Sequence, residues 1–383
     1  MDAFSFHTVP EVVVGAGQAN HLGPLCQRLG INKPLLVTDP GLVDVGLIDP
    51  VTQALSQHCA LVTVFSDVTA DPAECVVDAA HEMLLANQCD GVIAVGGGSS
   101  MDVAKVIAVL AKGKQSLGSM YGVGQVSSDR LPLILVPTTA GTGSEVTPVA
   151  VITTGATTKA GVSSPVLLPD IAVLDAALTL KLPKAATAMT GIDAMVHAIE
   201  AYTSKQKKNP ISDMLALRAL RLLAANIRAV MVDGSNMAAR EAMLLGAMYA
   251  GQAFANAPVA AVHALAYPLG GHFHIPHGLS NSLMLPSVLA FNAPAVELLY
   301  LELAAELPGN PPKTVDGFIA WFETLIAETG LPTSLAAADV PESMLPTLAA
   351  DAMNQQRLLV NNPVPITEHD ALALYERAWR GER

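Results

Sequence analysis

The sequence predicts an α/β domain with a parallel sheet, followed by a domain built only from helices. In the first half, short runs rich in Val, Ile and Leu alternate with helical patterns, which is typical of a parallel sheet covered on both faces. From about residue 183 the strand-like runs disappear, and Ala, Leu and Met recur at helical spacing. The 383 residues also exceed what one hydrophobic core usually organises. We therefore predict domains at 1–182 and 183–383.

The individual elements follow from the same periodicities. Strands are expected at 11–14, 35–38, 61–65, 91–95 and 131–136, with helices over about 72–87 and 101–111. In the second half, Asn, Pro and Gly punctuate the helical patterns. Helices are expected there over 184–203, 210–230, 236–256, 258–269, 279–291, 295–306, 313–329, 342–352 and 368–380.

Composition excludes several classes of protein. The formal net charge of −13 argues against nucleic-acid binding, because nothing offsets the repulsion of phosphates. The four cysteines stand at spacings that fit no CxxC pair, which favours reduced thiols in a cytoplasmic protein. The N-terminus lacks a secretory pattern, and no uncharged apolar run reaches the ~20 residues that span a bilayer. We expect a cytoplasmic protein without a membrane partner.

A glycine-rich segment, Gly96-Gly97-Gly98-Ser99-Ser100, lies between a predicted strand and a predicted helix. Without Cβ atoms its backbone can approach a ligand closely, and the helix that follows offers free N–H groups to an anion. These features predict a pyrophosphate site. The pattern is neither G-x-G-x-x-G nor a Walker A motif, and a tight turn without a ligand is the alternative.

Two further segments support a nucleotide site. Residues 138–145, Thr-Thr-Ala-Gly-Thr-Gly-Ser-Glu, follow another strand and carry hydroxyl groups suited to phosphate and ribose. Asp39 ends an earlier strand, where a carboxylate can accept hydrogen bonds from a ribose diol and would repel a 2′-phosphate. This favours NAD over NADP. The alternative is that Asp39 only caps a turn before Pro40-Gly41.

Histidines cluster in the second half. Four of the ten fall between His263 and Gly278, in a stretch that Gly and Pro divide into a helix, a reversal and a second helix beginning near His277. Asp193 and His197 are four residues apart on one predicted helix face, among apolar neighbours. A hydrogen-bonded core position would explain any one of these histidines. Together, three imidazoles and a carboxylate would suit Fe²⁺ or Zn²⁺.

These motifs resemble those of the iron-containing, or group III, alcohol dehydrogenases over essentially the whole chain. The resemblance rests on Gly96–Ser99 with Asp102 and Lys105, on 138–145, on Thr190–His197, and on 270–278. It implies a dehydroquinate synthase-like architecture, with an N-terminal dinucleotide-binding domain and a helical C-terminal domain. It implies a metal held by Asp193, His197, His263 and His277. It places Asp39, Gly96, Gly97, Gly98, Ser99, Asp102, Thr138, Thr139, Thr142 and Lys159 at the nicotinamide dinucleotide, and it suggests at least a homodimer.

Two positions depart from the family pattern. Ser100 stands where many members have proline, and a helix N-terminus accepts either residue. Tyr267 stands where many members carry a further histidine that is thought to move the alcohol proton or shape the substrate pocket. A tyrosine, with a pKa near ~10, is a poorer base at neutral pH but can donate a hydrogen bond. We predict catalytic roles for Tyr267 and His277, and we expect His272 and His274 to be surface residues beside a turn.

The sequence thus predicts reversible hydride transfer between a primary alcohol or diol and NAD, assisted by a Lewis-acidic metal ion. Tyr267 keeps a hydroxyacid–oxoacid transhydrogenase or a 4-hydroxybutyrate-type dehydrogenase open as an alternative. A metal- and NAD-dependent cyclase resembling dehydroquinate synthase is a second alternative, although its acidic substrate would call for more Lys and Arg than the chain offers. A non-catalytic NAD-binding protein is a third, but it leaves Asp193 and the histidines unexplained.

Overall fold

The computed structural model describes residues 3–155 and 158–383 and divides into two compact units. One unit is His7–Lys181, and the other is Leu182–Arg383 together with residues 3–6. The first contains every strand of the described residues, while the second is helical. The predicted fold class, an α/β domain followed by a helical one, is confirmed.

The α/β unit is built on a six-stranded parallel sheet. Its neighbours lie in the order β1-β9-β6-β4-β2-β3, and every described pairing in it is parallel. The central strands are buried on both faces, as their uninterrupted apolar sequences predict. The strands are β1 (Glu11–Val14), β2 (Pro34–Val37), β3 (Thr63–Phe65), β4 (Gly91–Gly96), β5 (Gly122–Val123), β6 (Leu133–Pro137), β7 (Val149–Thr154), β8 (Thr158–Ser163) and β9 (Ile171–Leu174).

Helices cover this sheet, and they are α1 (Leu22–Leu29), α2 (Pro40–Asp44), α3 (Asp49–Ser56), α4 (Glu74–Ala86) and α5 (Gly98–Leu110). Helix α5 is almost wholly buried from Ser100 onward, which explains why its sequence is apolar on every side. A small second sheet, in the order β5-β8-β7, was not predicted. Its strand β8 is polar and glycine-containing, so it lacks the apolar run that marks a strand in sequence. Strand β9 was also missed.

The order of the strands reverses beside β4. The chain passes from β2 outward to β3, and then from β4 through β6 to β9 on the other side. In open parallel sheets, ligands bind at such a switch point, at the carboxyl ends of the strands. The segments that follow β2, β4 and β6 are the ones that carry Asp39, Gly96–Gly98 and 138–145.

The helical unit comprises α6 (Lys184–Thr203), α7 (Pro210–Val232), α8 (Met237–Asn256), α9 (Ala261–Phe273), α10 (His277–Ala304), α11 (Val315–Thr329), α12 (Leu345–Ala352), α13 (Gln356–Leu359) and α14 (Glu368–Arg380). The predicted reversal between two helices in the histidine-rich stretch is confirmed. Helix α9 contains Pro268 and nevertheless continues past the predicted end at 269, through Gly270 and Gly271, to Phe273. The two helices predicted at 279–291 and 295–306 form the single α10, with a kink at Val296 (φ −131°, ψ 26°). Packing of the apolar faces outweighs the cost of the internal prolines in both places.

Helix α10 is long and apolar enough to cross a bilayer by length and composition, with a mean hydropathy of 1.4 in its most apolar window. Core helices of soluble proteins pass the same test, and half of that window is buried within the protein. Ser280, Asn281, Ser282 and Asn292 are buried polar residues along it. Polar groups at these positions are expected of a helix that packs against protein rather than lipid.

Candidate metal centre and nucleotide cradle

Helix α6 carries three ionisable residues on one face, among apolar neighbours. Asp193, His197 and Glu200 stand at i, i+4 and i+7, so they share one face of the helix. Asp193 is 2% exposed, and His197 and Glu200 are each 4% exposed. Burying such groups is unfavourable unless each has a hydrogen-bonding or ionic partner. Their presence on one face of α6 therefore indicates a site.

Helices α9 and α10 bring two more imidazoles to this face. His263 lies in the first turn of α9, and His277 is the first residue of α10. Gly278 allows α10 to begin there, because a Cβ atom at that position would lie 2.4 Å from the carbonyl oxygen of Met189 on α6. The close approach of the two backbones carries His277 toward the α6 residues.

The four predicted metal ligands converge. One donor atom from each of Asp193, His197, His263 and His277 lies within 4.8 Å of the other three. The Nε2 atoms of the three imidazoles lie 3.8 to 3.9 Å from Oδ1 of Asp193. Burial by itself would raise the pKa of Asp193, but the neighbouring imidazoles and a hydrogen bond from Asn281 outweigh it and hold that pKa below its usual range.

Asn281, which the sequence analysis missed, occupies the middle of this cluster. Its Nδ2 atom lies 2.6 Å from Oδ1 of Asp193 and 3.2 Å from Nε2 of both His263 and His277. Its own Oδ1 is buried and has no hydrogen-bond partner among the described residues. One carboxylate and three imidazoles that converge in this way fit a divalent transition-metal ion.

Glu200 was also missed as a functional residue. Its carboxylate contacts Nδ1 of His263 at 2.6 Å. The available signal was its place on the Asp193–His197 face, one turn beyond His197. For Asn281, the signal was its place one turn after His277 in α10.

The remaining residues of the histidine-rich stretch differ in their distance from the ligand cluster. Tyr267 is partly buried, and its ring lies 5.8 Å from that of His277, so it borders the ligand cluster. His272 pairs with Asp351 at the partly exposed end of α9. His274 is exposed in a left-handed conformation (φ 54°). Neither His272 nor His274 is among the four convergent ligands.

In the α/β unit, the predicted glycine segment and residues 138–145 lie against each other. A Cβ atom at Gly98 would lie 2.9 Å from Cγ2 of Thr142, and one at Gly97 would lie 3.8 Å from Thr139. The backbone N–H of Thr138 donates to the carbonyl of Gly96 at 3.0 Å. The two segments therefore form one surface of backbone and small hydroxyl groups, which we call the cradle.

Two buried hydroxyl oxygens near the cradle lack hydrogen-bond partners among the described residues. They are Oγ1 of Thr139, after β6, and Oγ1 of Thr38, after β2. Their strands flank β4 on its two sides, and β4 leads into Gly96–Gly98. Buried hydroxyl groups are normally satisfied, so these two fit the phosphate and ribose oxygens of a bound dinucleotide.

Asp102 and Lys105 on α5 hold the 138–147 segment in place. Nζ of Lys105, which is wholly buried, donates to Oγ of Ser144 at 2.7 Å and to the carbonyl of Val149 at 2.7 Å. Asp102 accepts from Ser144 Oγ and from the Val151 N–H. Burial raises the pKa of Asp102 and lowers that of Lys105 to about 8. Both Asp102 oxygens thus have protein partners, and its contact with the dinucleotide stays a prediction.

The other predicted nucleotide residues occupy different settings. Asp39 does cap a helix, because its Oδ1 accepts from the Leu42 N–H at 3.1 Å. Its Oδ2 lies 3.8 Å from where a Cβ atom of Gly96 would be, so the capping residue also borders the cradle. Ser99 is in the first turn of α5. Lys159 lies on β8 and pairs with Asp71 at 2.6 Å.

Two family models match the chain. Residues 10–176 match the model described as iron-containing alcohol dehydrogenase, and residues 187–379 match its C-terminal counterpart. The chain belongs to the iron-containing alcohol dehydrogenase family. It is therefore an oxidoreductase of the alcohol dehydrogenase type, as the resemblance of its motifs predicted.

Individual relatives agree with this family. The chain is 41% identical to long-chain-alcohol dehydrogenase 1 of Geobacillus thermodenitrificans, over 96% of this chain and 95% of that protein. Its fold matches a crystal structure of 1,3-propanediol oxidoreductase with a TM-score of 0.94 and 34% identity, covering 98% of this chain and 100% of the other. It also matches a sulfoacetaldehyde reductase from Bifidobacterium kashiwanohense in complex with NAD⁺, with a TM-score of 0.89 and 30% identity over 99% of each chain.

Proposed function

We propose that this protein is an NAD-dependent, iron-dependent alcohol dehydrogenase that interconverts a primary alcohol or diol and the corresponding aldehyde. The observation that carries the proposal is the convergence of Asp193, His197, His263 and His277, of which the first three are buried and His277 is partly exposed. The family name supports iron, and zinc is compatible with the same ligands. A relative with NAD⁺ bound, together with the cradle and the two unsatisfied hydroxyl groups near it, supports the dinucleotide.

Bound metal would supply a Lewis acid for the alcohol or carbonyl oxygen, and NAD would exchange the hydride. The side chains of this protein would position the reacting groups and exclude water from them. The buried faces of α6, α9 and α10 keep the imidazoles in fixed orientations, which reduces the entropy lost in reaching a reactive geometry. We infer that the hydroxyl of Tyr267, whose ring lies 5.8 Å from that of His277, donates a hydrogen bond to a substrate oxygen.

The names of the relatives support the proposed substrate class. Relatives carry the names of a long-chain alcohol, a diol and a sulfonated aldehyde, so the shared chemistry is that of a primary alcohol and its aldehyde. A hydroxyacid–oxoacid transhydrogenase is the second candidate, and Tyr267 is the residue that favours it. Turnover of 4-hydroxybutyrate with 2-oxoglutarate, without release of free NADH, would support that candidate against ours.

The decisive experiment measures metal and turnover in the same samples. Purified protein is analysed for iron and zinc, loaded anaerobically with Fe²⁺ or Zn²⁺, and screened with NAD against alcohols, diols and aldehydes. We expect His263→Ala and His277→Ala to lose bound metal and turnover together. The matched control is His272→Gln, a change in the same stretch outside the ligand cluster, which should keep both. A His263→Ala or His277→Ala variant with full metal content and full turnover would refute the proposal.

We also propose that the protein assembles as at least a homodimer that acts on small molecules in the cytoplasm, without nucleic-acid or membrane partners. The net charge of −13 supports the exclusion of nucleic acid. Light scattering coupled to size-exclusion chromatography tests the assembly, and a particle with the mass of one chain would contradict it.

A further inference from the structure

Glu200 is a buried carboxylate that the proposed reaction does not use directly. It lies on α6, 4% exposed, one turn beyond His197 and on the same face as Asp193. A carboxylate in such a position costs free energy unless hydrogen bonds replace its lost water. The hydrogen-bond partners of Glu200 therefore indicate why a carboxylate occupies this position.

The three hydrogen-bond partners of Glu200 among the described residues lie at the start of α9. Its Oε2 accepts from the backbone N–H of Ala260 at 3.0 Å, and its Oε1 accepts from that of Val262 at 2.7 Å. The N-cap residue, Ala260, has no side chain that could cap the helix itself. Glu200 thus supplies from α6 the cap that α9 lacks, and its negative charge faces the positive end of the helix dipole.

The third contact reaches a predicted metal ligand. Oε2 of Glu200 lies 2.6 Å from Nδ1 of His263, the shortest of its three contacts. The other ring nitrogen, Nε2, lies 3.8 Å from Oδ1 of Asp193, on the side of the remaining ligands. A hydrogen on Nδ1 that is donated to Glu200 leaves the Nε2 lone pair available on that side.

We propose that Glu200 is a positioning residue of the metal centre. It selects the Nδ1-protonated tautomer of His263 and fixes the first turn of α9, so that Nε2 of His263 is presented to the metal in advance. Carboxylate–histidine–metal arrangements of this kind raise the basicity of the ligand and set the ring orientation. The inference rests on the metal centre proposed above and adds a role for a residue outside the four ligands.

The test measures metal affinity rather than turnover. Metal-free protein is titrated with Co²⁺ and Zn²⁺ against a competing chelator, and the visible bands of the Co²⁺ form report the ligand set. In Glu200→Gln, the amide cannot accept from both backbone N–H groups and from His263. We expect its affinity to fall by about 10- to 100-fold while the Co²⁺ bands keep the positions that indicate the same four ligands. Glu200→Asp, which keeps the charge on a shorter side chain, should restore part of the affinity.

A double-mutant cycle separates positioning from simple destabilisation. In the His263→Ala background Glu200 has no ligand to position, so adding Glu200→Gln should change the remaining affinity by less than about threefold. Asn209→Ala is the matched control, since Asn209 is a buried helix cap on α7 that contacts Ser212 and Lys207 rather than a metal ligand. It should lower thermal stability and leave metal affinity unchanged.

The outcomes are distinguishable. A Glu200→Gln variant with wild-type affinity, or equal losses of affinity in the wild-type and His263→Ala backgrounds, would overturn the positioning role. If Glu200→Gln does not fold, Glu200→Asp tests the positioning role instead. Its shorter side chain draws the carboxylate back from Nδ1 of His263, so metal affinity should fall severalfold. Wild-type affinity in Glu200→Asp would overturn the proposal. A wild-type protein that binds neither ion would instead refute the metal centre itself.

Discussion

Tyr267 borders the candidate metal centre, and we predict a catalytic role for it. Its ring is 5.8 Å from that of His277, and it packs against the apolar cluster of Val259, Ala264, Leu358 and Leu359. We expect Tyr267→Phe to keep the packing and lower kcat about tenfold, which corresponds to one hydrogen bond to the reacting oxygen. Steady-state kinetics on metal-loaded protein measure this. Tyr121→Phe, which loses a hydrogen bond to Glu74 in the α/β unit, is the control. An unchanged kcat in Tyr267→Phe would remove the hydroxyl from the mechanism.

Asp39 caps α2 and is predicted to repel a 2′-phosphate, and a substitution can separate these two roles. Serine can still cap α2 by accepting from the Leu42 N–H, but it has no charge to repel a 2′-phosphate. We expect Asp39→Ser to raise kcat/KM for NADP relative to NAD by about tenfold, the effect of removing one partly screened charge. Asp44→Ser removes an exposed charge from the same helix and should leave the ratio unchanged. An equal ratio in Asp39→Ser and the wild type would show that Asp39 serves only as a cap.

At the scale of elements, the buried contacts between α5 and the 138–147 segment should make the free energy of unfolding depend on pH. Burial raises the pKa of Glu145 to about 7, against the partial opposition of Lys105. Because this pKa exceeds the usual value of about 4.5, the folded state binds more protons than the unfolded state between these pH values. The free energy of unfolding should therefore fall as pH rises through that window, by about 3 kcal/mol, because each pKa unit corresponds to ~1.4 kcal/mol.

Glu145→Gln removes this titration. Urea unfolding at pH 5, 6 and 8 should show that the wild type loses stability across the range and that the variant loses less. Glu82→Gln, an exposed change on α4, should follow the wild type. Identical slopes for Glu145→Gln and the wild type would show that Glu145 keeps an ordinary pKa.

At the scale of the whole molecule, metal binding should stabilise the folded state, and this stabilisation should depend on pH. A ligand that binds only the folded state raises the melting temperature, and neutral imidazoles are required for that binding. Protonation of an imidazole nitrogen removes the lone pair that would bind the metal, so we expect acid to release it. The gain in Tm from added Zn²⁺ should be largest near pH 8 and absent by about pH 5. His263→Ala should show little gain at any pH. A gain that persists at pH 5 would contradict this coupling.

Much of this fold was predictable because its elements carry periodic signals. The parallel strands β2, β4 and β6 are apolar on both faces, and α6 was predicted at the bounds that the structure shows. Strand β8 escaped prediction because its polar sequence has no such period. The end of α9 and the continuity of α10 escaped it because packing of neighbouring helices carried α9 past Gly270 and Gly271 and overrode Pro294.

The candidate site divides in the same way. Asp193 and His197 were predictable as a pair because four residues make one helical turn, and buried polar groups of that kind require a partner. The sequence by itself determined which side chains have metal-binding chemistry and which segments can approach a phosphate. Only the tertiary structure decided that Asn281 stands among the ligands and that Glu200 holds Nδ1 of His263. These contacts join residues 88 and 63 positions apart, and no local rule of spacing specifies which helices meet.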